Sequence, residues 1–76
     1  MVKAYVMVIT AAGTTPAILP EATKIDGVIE AHAIAGEYDV IVEVETEELS
    51  DLLPTITSQL QEIEGVGTTK TYITVS

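Results

Sequence analysis

The residue types best suited to binding a small molecule occur together in the segment Gly36-Glu37-Tyr38-Asp39. A glycine lets the backbone approach a ligand closely, and a tyrosine ring offers a flat apolar wall with a hydroxyl. An aspartate carboxylate can accept hydrogen bonds from an ammonium group. Glycine and aspartate are also common in hairpin turns. The segment therefore fits both a ligand-binding turn and an ordinary hairpin connection.

Two threonines near the end of the chain are further candidates for binding. Thr69 and Thr71 lie two residues apart in a stretch of strand-forming residues, so their side chains point to the same side. Two neighbouring hydroxyls can together hold a carboxylate. Threonine is also simply a favourable strand residue, so the pair by itself does not define a site.

Residues suited to catalysis or metal binding are scarce. The chain has one histidine, His32, and no cysteine, which excludes a thiolate nucleophile, a disulfide and a Cys-ligated metal. No nucleophile motif accompanies His32, so a hydrogen-bonded or rim histidine is the favoured interpretation. The acid pairs Glu43/Glu45 and Glu47/Glu48 lack the spacing of metal ligands and are expected to form a solvated acidic edge. We predict no catalytic residue, no metal and no cofactor.

Length and charge restrict the class of protein. A chain of 76 residues supports one domain at positions 1–76, because a second core would bury too little surface. Twelve acidic residues against three lysines give a formal charge of −9, which opposes direct binding to nucleic acid. The acidity fits a halophilic surface made for a high-salt cytosol, and it equally fits a merely acidic small protein.

The apolar run at residues 4–9 is far shorter than the roughly 20 residues that span a bilayer. Lys3 followed by an apolar stretch that ends in small residues is also similar to a signal peptide. Removing that stretch would take away the most apolar strand, so we interpret it as part of the fold. We expect a cytoplasmic protein without membrane contact.

Composition and hydrophobic patterning predict four strands, at residues 3–10, 28–35, 40–45 and 68–75. A first helix is predicted after a cap at Thr14 or Thr15, and a second after a cap at Thr46. Pro20 and Pro54 fall inside these helices and are expected to shorten or bend them. The second helix is predicted from apolar residues at helical spacing: Leu49, Leu52, Leu53, Ile56, Leu60 and Ile63.

A short internal repeat supports the order β-α-β-β-α-β. Residues 24–28 (KIDGV) and 62–66 (EIEGV) each place an isoleucine, an acid, a glycine and a valine at a helix-to-strand joint. Gly27 and Gly65 are expected to adopt the left-handed backbone that ends a helix. Two such halves predict an α+β, ferredoxin-like fold with a four-stranded antiparallel sheet and two helices on one face.

The first strand is apolar on both sides, although two helices cover only one face of such a sheet. Ala4, Val6 and Val8 belong to one side. The residues on the other side are also apolar, and no helix covers them. Because soluble monomers rarely expose a large apolar face, this pattern predicts a face-to-face dimer. The alternative is a sheet face partly open to solvent. The predicted dimer interface comprises Tyr5, Met7, Ile9, Ile34, Ile41 and Tyr72.

Three segments in order carry a resemblance to a known family: GVIEAHAIAGEYDVIVEV, TEELSDLL and IEGVGTTKTYITV. Together they resemble the ligand-binding (RAM) domain of Lrp/AsnC-type transcriptional regulators over residues 3–75. The resemblance implies a ferredoxin-like domain that dimerises through its sheet, often forms a ring of dimers, and binds an amino acid between dimers. It implies an effector site that comprises Ala35, Gly36, Tyr38, Asp39, Thr69 and Thr71.

The chain departs from full-length regulators because it begins directly at the first strand, without a helix-turn-helix segment. We therefore expect a stand-alone effector-binding and oligomerisation module of transcriptional regulation. It would associate with full-length Lrp/AsnC regulators and would not bind DNA itself. One alternative is a dimeric α/β-barrel enzyme with His32 as base in the cavity between sheet and helices. Another is a purely structural oligomerisation domain, which predicts assembly without ligand dependence.

Overall fold

The four strands of the chain form a single antiparallel sheet. The computed structural model describes residues 1–75, apart from the side chains of Leu53 and Pro54. The strands are β1 (Val2–Thr10), β2 (Val28–Ala33), β3 (Val40–Thr46) and β4 (Val66–Ile73). They are arranged in the order β2-β3-β1-β4, and every neighbouring pair is antiparallel. With one helical segment after β1 and another after β3, the predicted ferredoxin-like order is confirmed.

Helix α1 spans Thr15–Thr23 and is short, as its two prolines predict. Pro16 lies at its start, where a missing N–H costs nothing, and Pro20 lies inside it. Thr14 is the N-cap residue, but its hydroxyl donates to the Ala11 carbonyl (2.7 Å) instead of capping the helix. The C-cap residue is Lys24, which precedes the glycine turn at Gly27.

The second helix, α2, begins later than predicted and is not uniform. It comprises α-helical Leu49–Asp51, a π-helical turn at Leu52–Ile56 and α-helical Thr57–Gln61. The N-cap is Glu48; the predicted cap, Thr46, is the last residue of β3 and donates its hydroxyl to the Glu48 carbonyl (2.8 Å). Leu49, the first helical residue, is 47% exposed, whereas Leu52, Ile56 and Leu60 of the same apolar series are buried.

The π-helical turn includes the position of Pro54. A proline inside a helix lacks the N–H donor and crowds the preceding turn. In α2 the N–H of Thr57 bonds to the carbonyl of Leu52, five residues earlier, so the helix is widened there by one residue. A wide turn is thus present at the position where a bend was predicted. The predicted side-chain position of Leu53 lies outside the described residues.

The core lies between one sheet face and the two helices. It comprises the residues Ala4, Val6, Val8, Ile18, Ala22, Val40, Val42, Val44, Leu52, Ile56 and Leu60. The alternation of β1 is as predicted, because Ala4, Val6 and Val8 are its buried residues. No helix among residues 1–75 is long and apolar enough to cross a bilayer.

Three strand boundaries differ from the prediction by two residues: β2 ends at Ala33 instead of residue 35, and β4 runs from Val66 to Ile73 instead of from 68 to 75. β1 begins and β3 ends one residue outside the predicted bounds. The earlier start of β4 is accompanied by a register shift in its pairing with β1: Thr10 pairs with Val66, so β4 has one residue more than β1 between this pair and the pair of Val8 with Thr69.

Both glycines of the internal repeat have φ +98°, as the repeat predicts. We expect Gly65→Ala to lower the free energy of unfolding by about 2 kcal/mol, because a side chain is strained at that φ and its Cβ would lie 2.8 Å from the Thr14 Cβ. Gly13→Ala is the matched control, since Gly13 has φ +79° and no atom near its Cβ position. Urea unfolding of both variants measures the difference; equal losses would show that the Thr14 contact costs nothing.

Candidate functional site

One face of the sheet is left open by the helices, and alternate residues of β1 define it. Tyr5 lies directly opposite Glu43 of β3 and Tyr72 of β4. Because directly opposed residues of antiparallel strands share a face, these side chains form a continuous surface. The next row along the strands is His32, Ile41, Met7 and Lys70. We call this surface the open sheet face.

The predicted interface residues Ile34 and Ile9 lie at the end of this surface. The N–H of Ile34 donates to the Asp39 carbonyl (2.9 Å), which extends the β2–β3 ladder past the last pair, Ala33 with Val40. Ile34 thus keeps the alternation of His32. Ile9 lies at the register shift of β1 and is exposed.

The loop between β2 and β3 reaches this face through Tyr38. Hydrogen bonding with Tyr72 raises the pKa of the Tyr38 phenol, and neighbouring Lys70 acts on that pKa in the opposite direction. Tyr38 is therefore a neutral phenol at neutral pH, placed beside two residues of β4. Since Tyr5 lies opposite Tyr72, all three tyrosines of the chain belong to one region.

Asp39 is hydrogen-bonded to the last residues of β1. Its Oδ2 accepts a hydrogen bond from the Thr10 N–H (2.9 Å), and its own N–H donates to the Val8 carbonyl (2.9 Å). The β1–β3 ladder ends at the pair of Val8 with Val40, so the Thr10 N–H lies beyond that ladder, and the carboxylate binds it. The residue types predicted an acceptor for a ligand ammonium, but this structural bond joins residues 29 positions apart and no local pattern reveals it.

Asp39→Ala is expected to destabilise the fold by about 1 kcal/mol, because the half-buried Thr10 N–H loses its acceptor. Asp39→Asn keeps an acceptor oxygen in the same place and should retain nearly the full stability. Chemical unfolding, with hydrogen exchange at the Thr10 amide, distinguishes the two variants. An alanine variant with unchanged stability and unchanged Thr10 protection would contradict this role.

The other predicted ligand residues are divided between two parts of the protomer. Ala35 and Gly36 are exposed in the loop, and the position of a Gly36 Cβ meets no atom within 4 Å. Thr69 and Thr71 lie opposite Val8 and Val6, and therefore on the helix-facing side of the edge strand β4. Gln61 Nε2 donates to the Thr69 Oγ1 (3.0 Å). Thr69 and Thr71 thus face away from the side where Tyr38 meets Tyr72.

His32 is on the edge strand β2 and is exposed. Its Nε2 lies 3.4 Å from the Glu30 Oε1, two residues away on the same strand. In the described part of the chain the space between sheet and helices is filled by the apolar core, so His32 has no cavity there. The geometry gives the enzyme alternative no support. No cluster of three potential metal ligands occurs among the described residues.

A cleft between α1 and the end of α2 was not foreseen from the sequence. It has a volume of about 620 Å³ and lies outside every predicted site. Its lining combines small and apolar residues with three carboxylates: Gly13, Thr14, Ala17, Glu21, Gln59, Glu62, Ile63 and Glu64. The only signal in the sequence is the pair of acids in the repeat segment 62–66.

The antiparallel sheet, with both helices on one face and the β2–β3 loop at its end, defines a small ferredoxin-like α+β domain. The chain belongs to the Lrp/AsnC ligand-binding domain family, whose model matches residues 3–76. An uncharacterized HTH-type transcriptional regulator of Pyrococcus furiosus is 33% identical over 60 residues, which are 79% of this chain and 40% of the relative. The chain therefore spans about two fifths of that relative's length.

Solved structures of similar size share the whole fold. The crystal structure of FFRP-DM1 is 36% identical with a TM-score of 0.90, covering 99% of this chain and 100% of that one. A hypothetical protein from Pyrococcus horikoshii is also 36% identical, with a TM-score of 0.89, covering 100% of this chain and 92% of that one. The predicted fold and family are thereby confirmed.

Proposed function

We propose that this domain binds an amino acid at its β2–β3 loop and that binding changes its assembly, which makes it a regulatory module of transcription. The observation that supports the proposal is the position of the β2–β3 loop, whose Tyr38 lies near Tyr72 and Lys70 of the open sheet face. The loop with the ligand-type residues is therefore adjacent to that face. A ligand that moves the loop therefore acts on the same surface that a second copy would cover.

The chemistry of the two residue groups suits the two ends of an amino acid. In the loop, Asp39 uses Oδ2 for the Thr10 N–H, so Oδ1 is left to accept from an ammonium group. Ala35 and Gly36 add exposed backbone. In β4, the Thr69 oxygen accepts from Gln61, so its own hydroxyl proton is left to donate to a carboxylate, alongside Thr71.

These two groups face different ways in one protomer, so a ligand that uses both must bridge two copies. Such a ligand binds only the assembled state at both ends. Its binding free energy then favours that state, which is the thermodynamic requirement for a regulatory effector. We propose a homodimer through the open sheet face and a higher assembly of dimers with ligands between them.

The proposed partners are therefore a further copy of this chain, a small-molecule effector and full-length Lrp/AsnC regulators. Association with such regulators would use the open sheet face. The domain supplies only three lysines against twelve acids, which favours action through a partner over direct DNA contact. We propose a cytoplasmic, non-catalytic role.

Sedimentation velocity in the presence of each amino acid tests the proposal. We expect one or a few amino acids to shift the distribution between dimer and larger assembly, while the rest leave it unchanged. An assembly state that no amino acid changes would favour a purely structural oligomerisation domain and contradict effector binding.

A further inference from the structure

The cleft between α1 and the end of α2 is separate from the candidate effector site and from the open sheet face. On α1, Ala17 and Glu21 lie four residues apart and so share one face of the helix. At the end of α2, Gln59, Glu62 and Ile63 have the spacing of three and four residues that also defines one face. The cleft thus lies between two helix surfaces, and its volume of about 620 Å³ is within the range of small-molecule sites, about 300–1,000 Å³.

The cleft is rich in negative charge that the protomer does not fully balance. Its described lining includes Glu21, Glu62 and Glu64 and no basic residue. The Glu21 Oε2 is paired with the Lys24 Nζ, at 2.9 Å, on the exposed surface of α1. Glu62 and Glu64 take part in none of the ion pairs found among residues 1–75. Two carboxylates of the lining therefore have no cationic partner within the described chain.

The end of α2 is an independent source of negative potential at the same place. The last carbonyl groups of a helix carry partial negative charge, which basic side chains in the final turn stabilise. The last turn of α2 has no basic residue, and its C-cap residue is the acid Glu62. A carboxylate at that end of a helix is electrostatically unfavourable. Departures from a local rule are expected at functional sites, and a bound cation would remove this one.

The distribution of the acids indicates the type of cation. The described part of the chain holds no group of three potential metal ligands, so the carboxylates do not converge on one metal ion. They are spread around a cleft whose lining also includes the apolar side chains of Ala17 and Ile63. A matching ligand has positive charges separated by methylene groups, because its ammonium groups then meet carboxylates while its chain contacts apolar residues.

We propose that the cleft between α1 and α2 binds a linear polyamine. The ammonium groups of the polyamine pair with Glu62 and Glu64, next to the last carbonyl groups of α2, and its methylene chain contacts Ala17 and Ile63. This site shares no residue with the candidate effector site, so it is a second and separate binding function. Binding neutralises part of the charge of −9 and stabilises the folded domain.

Isothermal titration calorimetry with spermidine tests the site. At about 0.1 M salt, where the screening length is about 10 Å, we expect the wild type to bind one spermidine per chain. The double variant Glu62→Gln/Glu64→Gln should bind it about tenfold more weakly, because both carboxylates are lost while the side-chain shape is kept. The matched control, Glu47→Gln/Glu48→Gln, removes the same charge from exposed residues at the other end of α2 and should stay within about twofold of the wild type.

A steric variant distinguishes the cleft from the general field of an acidic protein. Ala17→Phe places a bulky ring at an exposed position of the cleft without changing the charge, and it should also weaken binding about tenfold. Circular dichroism checks that each variant is folded. The polyamine site is ruled out if the wild type binds no spermidine, if the two double variants lose affinity equally, or if Ala17→Phe binds like the wild type. Tyr38→Ala should keep the full spermidine affinity, and a loss there would contradict the assignment to this cleft.

Discussion

Ile41→Glu is expected to convert the proposed dimer into a monomer. Ile41 lies in the middle of the open sheet face, between Met7 of β1 and His32 of β2, with no cation opposite it. Burying a carboxylate in the middle of the interface, without a cation to pair with it, costs a large part of the association free energy. We expect the dimer dissociation constant to rise about a hundredfold or more, measured by sedimentation equilibrium.

Ile73→Glu is the matched control, because it makes the same change in a strand. Ile73 lies opposite Ala4, on the helix-facing side of the edge strand β4, and is 39% exposed. The control should remain dimeric. If Ile41→Glu stays dimeric while folded, or if Ile73→Glu is the variant that becomes monomeric, the open sheet face is not the interface.

Tyr38→Ala is expected to abolish the effector response while the domain stays folded. The substitution removes the aromatic wall of the loop and its contact with Tyr72. An amino acid at about 100 times its dissociation constant stabilises the wild type by about 2.7 kcal/mol, and this increment should vanish in the variant. Thermal unfolding with and without the amino acid measures it.

Two further variants show whether the effect is specific to Tyr38 and how much its hydroxyl contributes. Tyr38→Phe keeps the ring and loses the hydroxyl, so it should retain part of the response. Glu37→Ala changes an exposed neighbour in the same loop and should retain all of it. A full response in Tyr38→Ala would exclude this loop as the effector site. A lost response in Glu37→Ala would show that the loop as a whole, and not the tyrosine, is required.

The features that follow from short-range pattern were predictable. The alternation of β1 assigned Ala4, Val6 and Val8 to the core, because a strand allows only two faces. The repeat predicted a left-handed backbone at Gly27 and Gly65, because a glycine just after a helix commonly adopts the left-handed conformation that ends it. Both predictions depend only on residues that are close in sequence.

The features that depend on tertiary contacts were not predictable. The hydroxyl of Thr46 suits a helix cap, yet β3 pairing with Val2 holds that residue in the sheet, and the helix starts later. The bond from Thr10 to Asp39 joins residues 29 positions apart, beyond the end of the β1–β3 ladder. The contact of Tyr38 with Tyr72 joins a loop to an edge strand that is distant in sequence. The residues of the candidate site were thus named from the sequence, while their grouping required the fold.

Thermal unfolding of the purified protein against each of the twenty amino acids, in low and in molar salt, tests the central claim most directly. Binding to the folded state raises the melting temperature, and about 2.7 kcal/mol corresponds to several degrees in a domain of this size. We predict a selective rise with one or a few amino acids that disappears in Tyr38→Ala. No rise with any amino acid in either salt would contradict effector binding and leave assembly as the sole role.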